Sequence, residues 1–265
     1  MLQLQPDALY NNCSQRTHQL RSNNHQIIAD SKENVHIRPW QAEDYDGVWS
    51  VLKDASYSNI NPTFIVILQK PFLWAVNMIL LSVGFARELS VIFLVVCFLG
   101  ELCLIYAMSV LGAIIYLYGQ TLSDIKDIKT SYFTTPDHHF WVAVCQGEIA
   151  GTVAVVRKVP QLHGAPCKKD PTSEDCSRGK IAWLRRMAVS KRFRGLGVAK
   201  QLVKTSLEFC QSRNYESVFL ITTEVHHAAR SLYSNMGFQL IACKPYRYLK
   251  GLLTIKTFEF EMVLR

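Results

Sequence analysis

The sequence predicts an α/β (α+β) domain, a central sheet flanked by helices, into which an apolar helical hairpin is inserted. Three observations lead there. Strand-like and helix-like patterns alternate from residue 35 to the end, one stretch from 63 to 119 is almost free of charge, and a glycine-rich turn sits between a short apolar run and a helical pattern. At 265 residues the chain has room for one substantial domain and an attachment.

Residues 1–34, rich in Asn, Gln and Ser and without periodicity, read as a disordered tail; they lack the basic start and apolar core of a signal peptide. The domain is expected over 35–265. "VHIRPW" (35–40) reads as a first strand, and 42–55 as a helix with Val48, Val51, Leu52 and Ala55 on one face. Then "PFLWAVNMILLSVGFA" (71–86) and the run 89–119 are broken only by Arg87-Glu88 and Glu101. A helix apolar on every side needs a large core or lipid, and about 20 such residues cross a bilayer. Residues 63–119 are therefore expected to form a membrane hairpin, transmembrane or re-entrant. Lys53 and Lys70 precede it and Lys126 and Lys129 follow, so both flanks are expected on the cytosolic side.

Beyond it, 122–132 reads as a short amphipathic helix and 139–159 as two strands about a turn at Gly147. Residues 160–180 form a polar insertion. A strand (181–189), a helix (197–213) with Leu202, Ser206, Phe209 and Cys210 inward, a strand (217–223), a helix (226–236) and a last strand (255–264) follow. The eight cysteines are scattered with no CxxC pair, which fits a reducing compartment. Cys167 and Cys176 are the one pair placed to bond or bind a metal, but no His/Cys set accompanies them, and no metal is expected.

The charge of +8 and pI near 9.1 admit nucleic acid, an acidic membrane or a phosphorylated ligand. "RRMAVSKRFRGLGVAKQLV" (185–203) points to phosphate, and the absence of an aromatic–basic stripe points away from nucleic acid. Gly195 and Gly197 let backbone approach a ligand, free N–H groups and the dipole at the helix start favour anions, and Arg194 adds charge. "RGLGVA" (194–199) lies five residues after a strand ending at Val189, and "AARSLYSNMGF" (228–238) ends a helix about 35 residues later, with Gly237 as its cap.

On these motifs the chain resembles the GNAT acetyltransferases, over 120–265 closely and 35–58 loosely. With the apolar hairpin, "DIKDIKTSY", "FWVAV" and "RMAV", it resembles their camello-like members. The resemblance implies a mixed sheet, acetyl-CoA as co-substrate, attachment to the endoplasmic reticulum with the catalytic domain in the cytosol, and pantetheine held by Met187, Ala188 and Val189. Arg194, Gly195, Leu196, Gly197, Val198 and Ala199 would then hold the pyrophosphate. His226 stands where such enzymes commonly have Asn. The resemblance also makes Tyr233 the acid for the departing sulfur.

Acetyl transfer needs a neutral amine. An α-amine is about a tenth neutral at pH 7 and a lysine well under a thousandth, so a site without an obvious strong base suits a small amino-acid-type acceptor. Glu224, at the mouth of the 217–223 strand, is the candidate base beside His226 and His227, and Arg185 and Arg186 are candidates for an acceptor carboxylate. Acetylation of protein lysines or N-termini, and a silent membrane-tethered scaffold, remain the competing readings.

Overall fold

The computed structural model describes residues 35–158, 161–162, 165–166, 180–248 and 253–264. The elements are β1 (Val35–Pro39), α1 (Tyr45–Tyr57), α2 (Ile60–Leu68), α3 (Pro71–Ala86), α4 (Val91–Tyr118), α5 (Ser123–Lys126), α6 (Ile128–Phe133), β2 (His139–Cys145), β3 (Glu148–Arg157), β4 (Gln161–Leu162), β5 (Ala165–Pro166), β6 (Ile181–Val189), α7 (Val198–Ser212), β7 (Ser217–Thr223), α8 (His227–Asn235), β8 (Gln239–Tyr248) and β9 (Leu253–Val263). One seven-stranded sheet runs β1-β2-β3-β6-β7-β9-β8, and β4 pairs separately with β5. Every pairing in the large sheet is antiparallel except β6–β7, so the sheet is mixed, as the resemblance implied.

Alternating side chains of the central strands feed two cores, which is why "FWVAVC" and "GTVAVV" read as nearly unbroken apolar runs. Phe140, Val142, Ala154 and Ala188 meet α1, the end of α4, α5 and α6 on one face. Trp141, Ala143, Val153 and Val155 meet α7 and α8 on the other. The β2–β3 connection is a two-residue turn with positive φ at Gln146 and Gly147, the primed geometry that suits a twisted hairpin.

The apolar segment contains three helices. Its first helix begins at Ile60, three residues before the expected start, and breaks at Lys70 because Pro71 opens α3 at its first turn. α1–α2 and α3 meet at a bend of 58°. α2 packs on α4 through Phe64 and Tyr106, whose ring centroids are 5.6 Å apart. The turn falls at Arg87–Ser90, and Gly84 lets α3 approach Leu94 of α4 closely. Asn77 donates to Glu101 at 3.2 Å, so Glu101 faces the partner helix. At 28 residues α4 spans about 42 Å. It lies in the one described helical stretch long and apolar enough to cross a membrane, Val91–Lys126, and the bent pair would make a second. Large apolar side chains such as Phe85, 89% exposed, and Ile92, 76% exposed, have no protein cover.

Two other expectations change. The helix over 122–132 is broken at Asp127, whose carboxylate caps α6 by accepting from Thr130 N–H at 3.0 Å. The strand β8, unassigned in the sequence, completes the sheet at its edge, where Pro245 costs no interior ladder bond. The 1–34 tail, the Cys167–Cys176 pair and most of the 160–180 insertion lie outside the described residues.

Gly151 faces β6 so closely that a Cβ there would sit 2.9 Å from the Ala188 carbonyl oxygen and 3.0 Å from Leu202 Cδ1. Gly151→Val is expected to destabilise the protein by about 1–3 kcal/mol through overpacking, read as a lowered midpoint of thermal unfolding in detergent; an unchanged midpoint would contradict this packing.

Candidate active site

The site is built where two parallel strands part. β6 pairs with β7 only at Ile181–Ser217, Ala182–Val218 and Trp183–Phe219. Beyond that β6 stays with β3 as far as Val189, while β7 stays with β9 as far as Thr223. A wedge therefore opens between residues 184–189 and 220–223. Its cause lies in the β3–β6 ladder, where Ala154 opposes Arg185 and Thr152 opposes Ala188, leaving Arg186 and Met187 opposite Val153. This bulge bends β6.

Arg186 adopts a left-handed backbone, φ +53°, a conformation costing a non-glycine residue of order 1–3 kcal/mol. Its side chain, 6% exposed, is held by Asp124: Nε donates at 2.8 Å and a terminal nitrogen at 2.6 Å, and the same nitrogen reaches the Thr121 carbonyl at 2.6 Å. Tyr132 donates its hydroxyl to the same carboxylate. Burial pushes the Asp124 carboxyl up, but the Arg186 and Tyr132 hydrogen bonds outweigh it and hold Asp124 below the usual carboxylate range. The Arg186 guanidinium, expected to meet an acceptor, is thus spent inside the fold. Arg185 stacks over the Trp183 ring at 4.6 Å and makes no ion pair among the described residues.

The loop after β6 is pinned by Asp54 of α1, which accepts from Ser190 Oγ at 2.7 Å and Lys191 N–H at 2.5 Å. Phe193, Val198 and the half-buried Leu196 root it in the core, with Ala199 in the first turn of α7. Gly195 and Gly197 carry φ of +84° and +81°, and a Cβ on either would meet nothing within 4 Å. They are glycine for backbone conformation, and the space before them is open. The first N–H groups of α7, which begins directly after Gly197, have no intrahelical carbonyl to bond to. Arg194 lies over the wedge end, donating to Val189 O at 3.2 Å and Ser58 Oγ at 2.7 Å.

Tyr233 is fixed by the end of α8. Phe238 N–H bonds to Tyr233 O at 3.0 Å, Gly237 N–H to Ser234 O at 3.1 Å, and Gly237 has φ +97°. This is a Schellman cap whose apolar contact is the Tyr233–Phe238 ring pair, 5.7 Å between centroids. Tyr233 is 4% exposed in the same cluster that Met187 and Val189 pack against. Burial pushes its phenol well up, so it stays protonated.

His226 holds Thr223 Oγ1 at 2.9 Å through Nδ1 and Asn59 Nδ2 at 3.0 Å through Nε2. An amide nitrogen only donates, which assigns the ring proton to Nδ1. Burial, with Arg194 and Arg230, lowers its pKa, so the ring is neutral at pH 7. Glu224 accepts from Lys70 Nζ at 2.6 Å and from Lys256 N–H at 3.0 Å. Arg230 lies over Phe258 at 4.4 Å and donates to His227 Nδ1 at 2.7 Å. Among the described residues no three His, Cys, Asp or Glu side chains gather as a metal ion would need.

The structure thus brings Met187, Val189, Leu196 and Tyr233 into one cluster, sets Arg194 close enough to His226 to act on its charge, leaves Glu224 at the end of β7 with Lys70, and turns Arg186 away to Asp124. Asp54, Ser58, Asn59 and Lys70, which bridge to the loop and to the β7–α8 junction, were not visible as site residues; polar identity next to an apolar stretch was their single signal.

A mixed sheet split between two parallel strands, with left-handed glycines leading from one of them into a helix, is the framework of a CoA-dependent acyltransferase. Residues 114–238 match the profile of the acetyltransferase (GNAT) family. N-acetyltransferase 8 of Rattus norvegicus is 33% identical over 209 residues, covering 78% of this chain and 86% of that protein. N-acetylaspartate synthetase of Homo sapiens is 33% identical over 221 residues, 82% of this chain and 67% of that protein. A solved GNAT acetyltransferase of Staphylococcus aureus Mu50 covers 87% of this chain and 99% of its own, with a TM-score of 0.47 and 14% identity. The chain belongs to the GNAT acetyltransferase family, in its camello-like branch, and is an N-acetyltransferase.

The Asp124–Arg186 pair makes stability pH-dependent. Because the folded carboxyl lies below its unfolded value near 3.9, its contribution is complete above about pH 4 and is lost as pH falls through the lower folded value. Asp124→Asn is expected to cost about 3–5 kcal/mol at pH 7, as breaking a buried pair does, and to flatten the acid limb of the stability curve; denaturation midpoints between pH 3 and 7 measure both.

Proposed function

We propose that the protein transfers the acetyl group of acetyl-CoA to the amine of a small amino-acid-type acceptor, of the cysteine S-conjugate kind, while anchored in an intracellular membrane. The wedge between β6 and β7, closed at one end by Gly195 and Gly197, carries the reading. Its open left-handed glycines and helix start suit a pyrophosphate, and its unpaired strand edge suits an extended amide-bearing arm. Acetyl-CoA supplies the acetyl group as an activated thioester. N–H groups of Gly195, Gly197 and the α7 start hold phosphate, with Arg194 turning from Ser58 to add charge. The Met187–Val189 edge of β6 offers N–H groups to pantetheine and to the carbonyl under attack. Tyr233 Oη, kept protonated by burial, donates to the departing sulfur. His226, both ring nitrogens engaged, shapes the pantetheine wall.

The acceptor side is cationic. Lys70 and Arg230 stand at the rim beside the carboxylate of Glu224, and Arg185 has no ion pair among the described residues. This charge favours an acceptor with its own carboxylate, for which Arg185 is the candidate partner. Glu224, paired with Lys70, sets the charge of the mouth, and an α-amine, about a tenth neutral at pH 7, leaves water sufficient to take its proton. The name of N-acetylaspartate synthetase, which gives an acetylated small amino acid as that protein's product, supports a small acceptor. CoA release by the purified protein with amino acids, S-conjugates and peptides tests this. Amino-acid-type acceptors should turn over, and Tyr233→Phe should lower kcat roughly 10²–10⁴-fold with acetyl-CoA affinity nearly unchanged. Turnover of peptides alone would reject the acceptor class, and full turnover by Tyr233→Phe would remove Tyr233 from the chemistry.

The exposed apolar faces of α3 and α4, flanked on the domain side by Lys53, Lys70, Lys126 and Lys129, support a membrane hairpin with the catalytic domain in the cytosol, at the endoplasmic reticulum or another internal membrane. The protein should remain with membranes through high-salt and carbonate washing; release into the wash would reject the anchor.

A further inference from the structure

Thr152 lies on β3 opposite Ala188 and is fully buried among apolar neighbours. Its hydroxyl donates to the Arg186 carbonyl at 2.8 Å; a carbonyl only accepts, so the direction of the bond is fixed. A threonine in a strand is ordinary, and a buried hydroxyl bonds to whatever carbonyl is near. Here, however, the carbonyl belongs to the left-handed residue of the bulge, and valine would fill the same space with no polar group to satisfy.

The geometry of the peptide unit gives the bond its consequence. In a trans peptide the C=O and the following N–H point in opposite directions within one plane, and the chain has no cis bonds among the described residues. With the Arg186 carbonyl drawn to Thr152 on β3, the N–H of Met187 is turned away from β3, to the side where β6 has left β7. Asp124 holds the Arg186 side chain at the same point. The peptide is thus restrained by its carbonyl and by its side chain, and its N–H is left for the wedge.

We infer that Thr152 is a positioning residue for acetyl transfer: its hydroxyl holds the Arg186–Met187 peptide so that Met187 N–H is presented to the thioester carbonyl oxygen of the donor. The inference rests on the acetyl-CoA reading of the wedge. No proton is transferred; the N–H strengthens its hydrogen bond as negative charge gathers on that oxygen during attack by the amine.

The test needs no acceptor. Infrared difference spectra of [1-¹³C]acetyl-CoA bound to the full chain in detergent report the thioester carbonyl stretch, which the wild-type protein should shift below its value in water. Thr152→Val should return the stretch toward the solution value and, with an acceptor, lower kcat roughly 10- to 100-fold, while acetyl-CoA affinity stays within about threefold because the glycine loop is untouched. Thr152→Ser, which keeps the hydroxyl, should restore both. A wild-type carbonyl stretch in Thr152→Val overturns the inference. Should that variant fail to fold, Thr152→Cys, a weaker donor of similar size, is read in the same way, with an intermediate stretch expected and a wild-type stretch overturning. Absence of acetyl-CoA binding by the wild-type protein would instead bring down the reading of the site, and this inference with it.

Discussion

Arg186 sits in a backbone conformation that a β-strand side chain avoids, and the strand bends there because two residues face one across the β3–β6 ladder. Without the bulge, β6 and β7 could continue to pair as parallel neighbours and the sheet would be closed. With it, residues 184–189 of β6 keep an edge that no described strand uses. An unpaired edge inside a sheet is costly unless something bonds to it, so the same distortion that opens the cleft also supplies its donors. The offsetting interactions are concentrated at the same residue: a two-pronged pair to Asp124, a carbonyl of α4's exit turn, and the Thr152 hydroxyl.

What could be read from the sequence was local. The glycine loop was legible because Gly195, Gly197 and the helix that follows are adjacent in the chain, and the requirement for positive φ is written in residue type. Tyr233, Gly237 and Phe238 were legible for the same reason, being parts of one cap. Arg186 was not, because its partner lies 62 positions away. Nor was the engagement of Glu224 with Lys70 or of His226 with Asn59, separated by 154 and 167 positions. Side-chain type gives the capacity to bind a carboxylate, but which carboxylate is reached depends on topology. β8 escaped for another reason. "QLIACKPYRY" has neither clean alternation nor freedom from proline, and an edge strand tolerates both lapses.

The apolar hairpin interrupts the fold between α1 and the rest of the sheet, yet both of its ends enter the site. On the way in, Asp54 caps the glycine loop, Ser58 takes Arg194, Asn59 meets His226, and Lys70 pairs with Glu224. On the way out, Thr121 and Asp124 hold Arg186. The inbound contacts touch both lips of the wedge, and the outbound ones fix its floor. An insertion joined by flexible linkers would leave the sheet domain indifferent to the apolar hairpin. This one replaces the linkers with ion pairs and hydrogen bonds, most of them half-shielded from water and so less weakened by salt than fully exposed pairs.

The hairpin's interior contacts are as specific as its ends. Gly84 brings α3 against Leu94, and Asn77 reaches Glu101 across the helix pair. In hydrocarbon, where apolar side chains gain nothing by leaving lipid, such close packing and interhelical hydrogen bonding are what hold two helices in register. In the proposed membrane setting, α4 carries that register to Leu117, and beyond the extended Gly119 a short turn and α5 bury Leu122 and Ile125 against the sheet beside Ala188. The orientation of the catalytic strand relative to a bilayer would then depend on how Gly119 and the turn after it join α4 to this core. The packing that holds α3 on α4 and the packing that holds Leu117 beside the catalytic strand thus lie on one helix.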